Sequence, residues 1–173
     1  MPTVLSKHIR KEVMINGVCN AVLNGYIAWL IIKERASLAM WGAEGFAFDL
    51  FATAFLLPFI IALIIIPLSR YKVSKGKIPG FCWGADIPLH RLLKQLPQGL
   101  MMRALGFGLA GLLVVAPLTL VSLLLMGATS FVPLQFAIFK GLWAGLIGGL
   151  VVVPLIMLGA ADRELERQSL KSA

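Results

Sequence analysis

Residues 50–68 read LFATAFLLPFIIALIIIPL, and every residue in the run except Thr53 is apolar or proline. It holds no charge over 19 residues and stops at Ser69 and Arg70. At a rise of 1.5 Å per residue the run is about 28 Å long, which matches a hydrocarbon core about 30 Å thick. A helix apolar on every face belongs in the core of a large protein or in a membrane. At 173 residues the chain is one domain by length, which favours the membrane. Inside a bilayer every backbone polar group must be paired within the segment, so the run is read as a transmembrane helix.

Working outward, three further runs have the same character: 13–32, 100–126 and 136–161. The first is interrupted by three asparagines. It follows a short basic start, as a signal peptide would, but it is too long and is followed by Lys33, Glu34 and Arg35 rather than a small-residue cleavage site. It is read as a retained helix. Composition agrees. The chain is 59% hydrophobic and 14% charged, against about 45–50% and about 25% in soluble domains. The expected fold is all-α: a single transmembrane domain of four helices forming a bundle.

The net charge of +8 would suggest nucleic acid if it were clustered on a soluble surface, but the cations lie in the connections between apolar runs. No nucleic-acid partner is expected. Lys7, Arg10 and Lys11 precede the first run. The connection 69–99 carries Arg70, Lys72, Lys75, Lys77, Arg91 and Lys94, and the tail carries Arg163, Arg167 and Lys171. The connection 33–49 sets Lys33 and Arg35 against Glu34, Glu44 and Asp49, and the turn 127–135 has no charge. By the positive-inside rule both termini and the 69–99 loop are expected in the cytoplasm. Trp29, Trp41, Phe46 and Trp143 would then belong to the aromatic belt on the other side. The short 127–135 turn predicts that the third and fourth helices pack as an antiparallel hairpin.

Polar residues inside the spans are the candidates for function. Asn16, Asn20 and Asn24 recur every four residues, with Glu12 one turn earlier, so they share one helical face. Such a stripe either bonds a neighbouring helix or lines a polar cavity near mid-membrane. Gly17, Ala21 and Gly25 run beside it, with Ala28 just off their line, and permit close helix approach. Asp49 and Thr53 open the second helix, and Lys140 lies one turn into the fourth on the same side of the membrane. Asp49 can cap its own helix or pair with Lys140 as a polar contact. Arg103 at the mouth of the third helix is expected to snorkel to lipid phosphates.

Arg70, Lys72, Lys75 and Lys77 form a polybasic stretch suited to anionic lipid on the cytoplasmic face. Leu89, Leu92, Leu93 and Leu96, opposite Arg91 and Lys94, predict a short amphipathic helix lying in the headgroups. Asp86 and His90 could pair within that loop. Pro58 and Pro117 can kink their helices. GFGLAG at 106–111 matches a dinucleotide-loop pattern by letter only, because it lies within an apolar run with no strand before it. Gly141 and Gly145 form a GxxxG packing face. ALIIIPLSR and GLVVVPLIM echo one another at the ends of the second and fourth helices, as a duplication would leave.

NGVCNAVLNGYIAW (16–29) and FDLFATAFLLPFIIALIIIPLSR (48–70) resemble small bacterial inner-membrane proteins of uncharacterised function. The shared pattern is Asn16, Asn20, Asn24, Asp49, Thr53, Pro58, Pro67 and Arg70. The resemblance implies a bacterial envelope setting and no particular mechanism.

Cys19 and Cys82 have neither CxxC nor zinc spacing, and His8 and His90 lie outside the apolar runs, so no intramembrane haem, metal or other cofactor is expected. No nucleophile–base–orienter set appears, so no catalytic residues are assigned. The expected activity is a small permease-like transporter built from several copies. The alternative is a non-catalytic subunit held by another membrane protein.

Overall fold

The computed structural model describes residues 3–42, 45–83, 88–97 and 99–172, with side chains within 4–42, 45–83, 90–97 and 99–162. Five helices account for most of the described chain: α1 (Thr3–Ile32), α2 (Phe46–Ser74), α3 (Pro88–Lys94), α4 (Leu100–Leu125) and α5 (Pro133–Ser172). Four of them are long and apolar enough to cross a membrane: Val4–Ile32, Phe46–Ser74, Leu100–Leu125 and Pro133–Asp162.

The helices overrun the apolar runs that mark them. α1 begins at Thr3 rather than at residue 13, α2 continues past Arg70 and Lys72, and α5 runs on through the charged tail. Lys, Arg and Glu are good helix formers, so a helix does not end where hydrocarbon ends. The apolar run locates the span, and the helix termini lie outside it.

Glycine decides which helices touch. α1 lies on α5 through Gly17, Ala21 and Gly25 against Gly141, Gly145 and Gly149. A Cβ placed on Gly145 would sit 2.7 Å from the Ala21 methyl and 2.8 Å from the Gly17 carbonyl oxygen. That contact is near backbone to backbone, where dispersion rather than water expulsion holds membrane helices together. α5 also packs on α2, and α2 on α4. The α2–α4 contact is closer still: a Cβ on Gly111 would overlap the Ala54 carbonyl oxygen, and one on Gly108 would meet the Phe55 ring at 2.9 Å. The glycines of GFGLAG therefore bring α4 against α2.

This corrects the expected hairpin. α4 and α5 run antiparallel but hardly touch along their length, because α4 is drawn onto α2. A groove separates them, lined by Phe107, Val114 and Leu118 on one side and Leu146 and Leu150 on the other. α4 is also irregular. Gly111–Val115 form a π-helical turn, in which the Ala116 N–H donates to the Gly111 carbonyl five residues back. Pro117 follows immediately; its ring crowds the preceding turn and it has no N–H to continue the ladder.

The end of the protein that carries the turn between α4 and α5, termed here the hairpin end, is tied by a two-residue antiparallel pairing. Leu38 and Ala39 (β1) lie opposite Phe131 and Ser130 (β2), and the Met40 N–H donates to the Thr129 carbonyl. Gly127 turns the chain after α4 at φ 72°. Phe46, Phe131 and Phe136 pack as an aromatic core there. Trp29 and Trp41 are exposed near this end, and Trp143 is half-buried further along α5. It lies about 15 Å along α5 from Pro133, and its indole N–H donates to Thr119 Oγ1 at 2.9 Å. This hydrogen bond ties the ring to α4.

At the opposite, loop end, residues 78–83 fold back under the helices. Ile78 and Phe81 are buried, and the Phe81 N–H donates to the Ala160 carbonyl. α3 forms as its sequence predicts, but its leucines do not share one environment. Leu93 and His90 are buried, His90 edge-on to Phe81 and Trp83, while Leu92 faces outward. Asp86 and the Leu89 side chain lie outside the described residues.

Candidate functional site

Three polar features lie in or beside the spans, and they begin on α1. Asn16, Asn20 and Asn24 are all half-buried, and their amides follow one rule. Each Nδ2 donates to the carbonyl four residues earlier: Asn16 to Glu12, Asn20 to Asn16 and Asn24 to Asn20, at 3.0, 2.8 and 3.0 Å. The spacing of four makes this possible, since a side chain on a helix leans back over the preceding turn. The amides thus spend their donors on their own helix. Their Oδ1 oxygens accept no hydrogen bond among the described residues.

The stripe lies at one edge of the α1–α5 contact. Asn20 rests on Gly148, where a Cβ would sit 2.8 Å from the amide nitrogen. Gly148 lies two turns beyond Lys140 on the same stripe of α5, and Lys140 reaches toward α2. The asparagines therefore border the side of α1 nearest α2, and from Glu12 to Asn24 they cover about 18 Å of helix. The lane ends in charge at the loop end. Glu12 Oε1 accepts from Lys72 Nζ of α2 at 2.7 Å, and His8 Nε2 lies 3.8 Å from the same oxygen.

Beyond the other end of the lane, α5 and α2 are joined by Lys140. Its Nζ donates to Asp49 Oδ1 at 2.6 Å, so the structure brings these two residues together. Lys140 is 6% exposed, and Asp49 Oδ2 is buried with no partner among the described residues. A small pocket of about 290 Å³ opens beside the pair, lined by Ala28, Ile32, Arg35 and Phe48 among others. Thr53 lies one turn further along α2, half-buried, and does not join the pair.

The third feature, at the loop end, involves a residue that sequence reasoning missed. Asp162 Oδ2 accepts from Arg70 Nε at 3.0 Å, Arg70 Nη2 at 2.6 Å and Arg103 Nη1 at 2.6 Å. Arg103 Nε donates in addition to the Pro97 carbonyl at 2.8 Å. Arg103 is 4% exposed. A carboxylate therefore compensates the guanidinium, which does not snorkel freely. Arg70 and Lys72, expected at headgroups, are likewise engaged by Asp162 and Glu12. Lys75, Lys77, Arg91 and Lys94 remain exposed, Lys75 over the Tyr71 ring. The available signal for Asp162 is a carboxylate that closes the last apolar run, on the side where Arg70 and Arg103 are expected.

Chemically, the arrangement offers uncharged acceptors along one lane and fixed ion pairs at its margins. Neutral amides do not titrate, so they can recognise a polar or uncharged group but cannot relay a proton. No known family model matches the chain, and comparison with curated proteins and with solved structures returned no match.

Proposed function

We propose that this chain is a small permease-like protein of the bacterial inner membrane, with both termini and the 69–99 loop in the cytoplasm, and that it works as a homo-oligomer. One observation carries the reading: the side-chain oxygens of three half-buried asparagines lie on one lane of a helix long and apolar enough to span a membrane, with no acceptor role among the described residues. Burying an amide without a partner costs about 1–3 kcal/mol on protein mutational scales. Three such groups turned to lipid would be a standing penalty. Water, a passing polar solute or a second copy removes it. The pocket beside Asp49 and Lys140 does not reach the asparagines, so on this reading a second copy closes the lane into a path. The cation-rich loop supports the cytoplasmic assignment through the positive-inside rule.

Asn20→Cys and Asn24→Cys, each made in a Cys19→Ser, Cys82→Ser background, test this with a membrane-impermeant thiol reagent. Labelling at both positions, blocked by crosslinking between copies, is the expected result. Protection from both faces of the membrane overturns it. Protection together with a crosslink from Leu23 to a different polypeptide supports the alternative, a non-catalytic subunit of a larger assembly.

A further inference from the structure

The α4–α5 groove ends one turn of α4 short of the Arg70–Asp162–Arg103 cluster. Phe107, Val114 and Leu118 line the groove on α4, and Arg103 precedes Phe107 by one turn on the same stripe. On α5 the lining residues Leu146 and Leu150 lead toward Asp162, the partner of Arg103. Among the described residues that ion pair and the Trp143–Thr119 hydrogen bond join the two helices through side chains, and Leu146 and Leu150 on the groove wall are exposed.

We propose that this groove holds one acyl chain of an anionic phospholipid, whose phosphate is taken by Arg103 and Arg70 at the loop end. Its dimensions favour a hydrocarbon chain over a helix. The cavity is about 640 Å³ and extends from Phe107 to Ser122 on α4, about 22 Å. That gives a section of about 29 Å², whereas a helix with its side chains needs roughly 80 Å². One leaflet of hydrocarbon is about 15 Å deep, so a chain rooted at Arg103 is covered from the headgroup to beyond its tip.

The charge fits the same occupant. Two guanidiniums share one carboxylate, leaving the cluster one positive charge in excess among the described residues. Arg103 Nη2 and Arg70 Nη1 have no partner among the described residues and remain for phosphate oxygens, which arginine binds through paired N–H groups. Arg103 is held rigidly, by Asp162 on one nitrogen and the Pro97 carbonyl on another. A site of this kind selects by headgroup charge at one end and by shape along the rest. It is independent of the lane on α1.

Full-length protein in phosphatidylcholine bilayers, doped with phosphatidylglycerol carrying a diazirine in one acyl chain, tests the assignment. Crosslinks should concentrate on Val114, Leu118, Leu146 and Leu150 rather than on Val18 and Val22 of α1, which face outward in the same hydrocarbon. Unlabelled phosphatidylglycerol should compete and added phosphatidylcholine should not. One cation near a lipid surface is worth about fivefold in occupancy, so Arg70→Gln with Arg103→Gln should lower groove labelling roughly 25-fold relative to Val18. Leu150→Trp fills the groove without touching the cluster and should also displace the probe. Equal labelling of groove and α1, competition by phosphatidylcholine, or undiminished labelling in Leu150→Trp overturns the proposal. Competition by a polyprenyl phosphate but not by phosphatidylglycerol overturns it too, in favour of a different phosphate lipid.

Discussion

Asp162→Asn should destabilise the protein more than Arg103→Met, although both remove one member of the same ion cluster. Asp162 serves two guanidiniums through one oxygen, at 2.6 Å to each. The two arms differ in burial. The Arg103 side chain is 5% exposed, and stranding a buried charge of this kind costs about 3–5 kcal/mol. The Arg70 side chain is 29% exposed, and a partly solvated arm contributes about 0–1 kcal/mol. Asp162→Asn therefore costs about 3–5 kcal/mol, nearly all of it from Arg103. In Arg103→Met the buried charge leaves with its side chain, methionine fills much of the space, and Asp162 keeps both contacts from Arg70. Exchanging a buried ionic group for an apolar one of similar volume is often close to neutral, so about 1 kcal/mol is expected. The double variant Asp162→Asn, Arg103→Met should then be more stable than Asp162→Asn alone. Thermal unfolding in a lipid-free detergent micelle, followed by tryptophan fluorescence, would read the largest change as a fall of roughly 6–20 °C for a chain of this size. If the double variant is the least stable of the three, or Asp162→Asn is within about 1 kcal/mol of wild type, the cluster is not what holds α2, α4 and α5 together at this end.

Gly145→Val would place carbon 2.7 Å from Ala21 and should loosen α1 from α5 by about 1–3 kcal/mol. Loss of disulfide formation between cysteines placed at Val13 and Gly149 would report the separation. Thr119→Val removes the acceptor for Trp143 and should cost about 0.5–1.5 kcal/mol, with a shift in the emission of a variant whose sole tryptophan is Trp143. A phosphatase reporter fused after Lys77 should stay inactive, and the same reporter in the 127–132 turn should be active. The reverse pattern inverts the assignment of sides.

The sequence reveals the spans because the bilayer sets a length and a composition that no soluble helix needs to meet. Leu50–Leu68 is legible for that reason, and so is the approximate place of the other three. Helix termini are less legible, since α1 and α5 extend into charged residues where only propensity acts. The contact partners are less legible again. Gly17 and Gly25 mark α1 as a packing helix, but only the fold shows that Gly141 and Gly145 receive them. GFGLAG could be set aside as a cofactor loop, yet nothing local says that Gly111 brings α4 against Ala54 and so parts it from α5. The asparagine stripe is legible as a stripe. Its back-bonding to α1 is a matter of rotamers, and the pattern alone leaves open whether the donors serve a neighbour or their own helix. The role of Asp162 is not legible locally, because its partners Arg70 and Arg103 are 92 and 59 residues away.

The two unfinished surfaces of this chain call for different complements, and that difference bears on how it works. The α4–α5 groove is apolar along its length and cationic at one end, which a lipid from the surrounding bilayer can satisfy without any other protein. The lane on α1 presents amide oxygens, which a lipid tail cannot satisfy. Hydrocarbon pressed against Asn20 and Asn24 leaves their acceptors bare, so lipid cannot replace a second chain or water there. α1 is also the least buried of the four spans, at 11% of its most apolar window, and its main packing is on α5. A helix packed mainly on one side, with polar atoms along its free edge, is the part of the molecule most readily covered by a neighbour. If copies meet at α1, the ion pairs Glu12–Lys72 and Asp49–Lys140 stand toward opposite ends of the shared surface and bracket the asparagines between them. Replacing all three asparagines by leucine separates the possibilities. The triple variant should fold, gain stability in lipid and lose any transport; if it instead falls apart into monomers with function lost, the amides are the bond between copies and not the path.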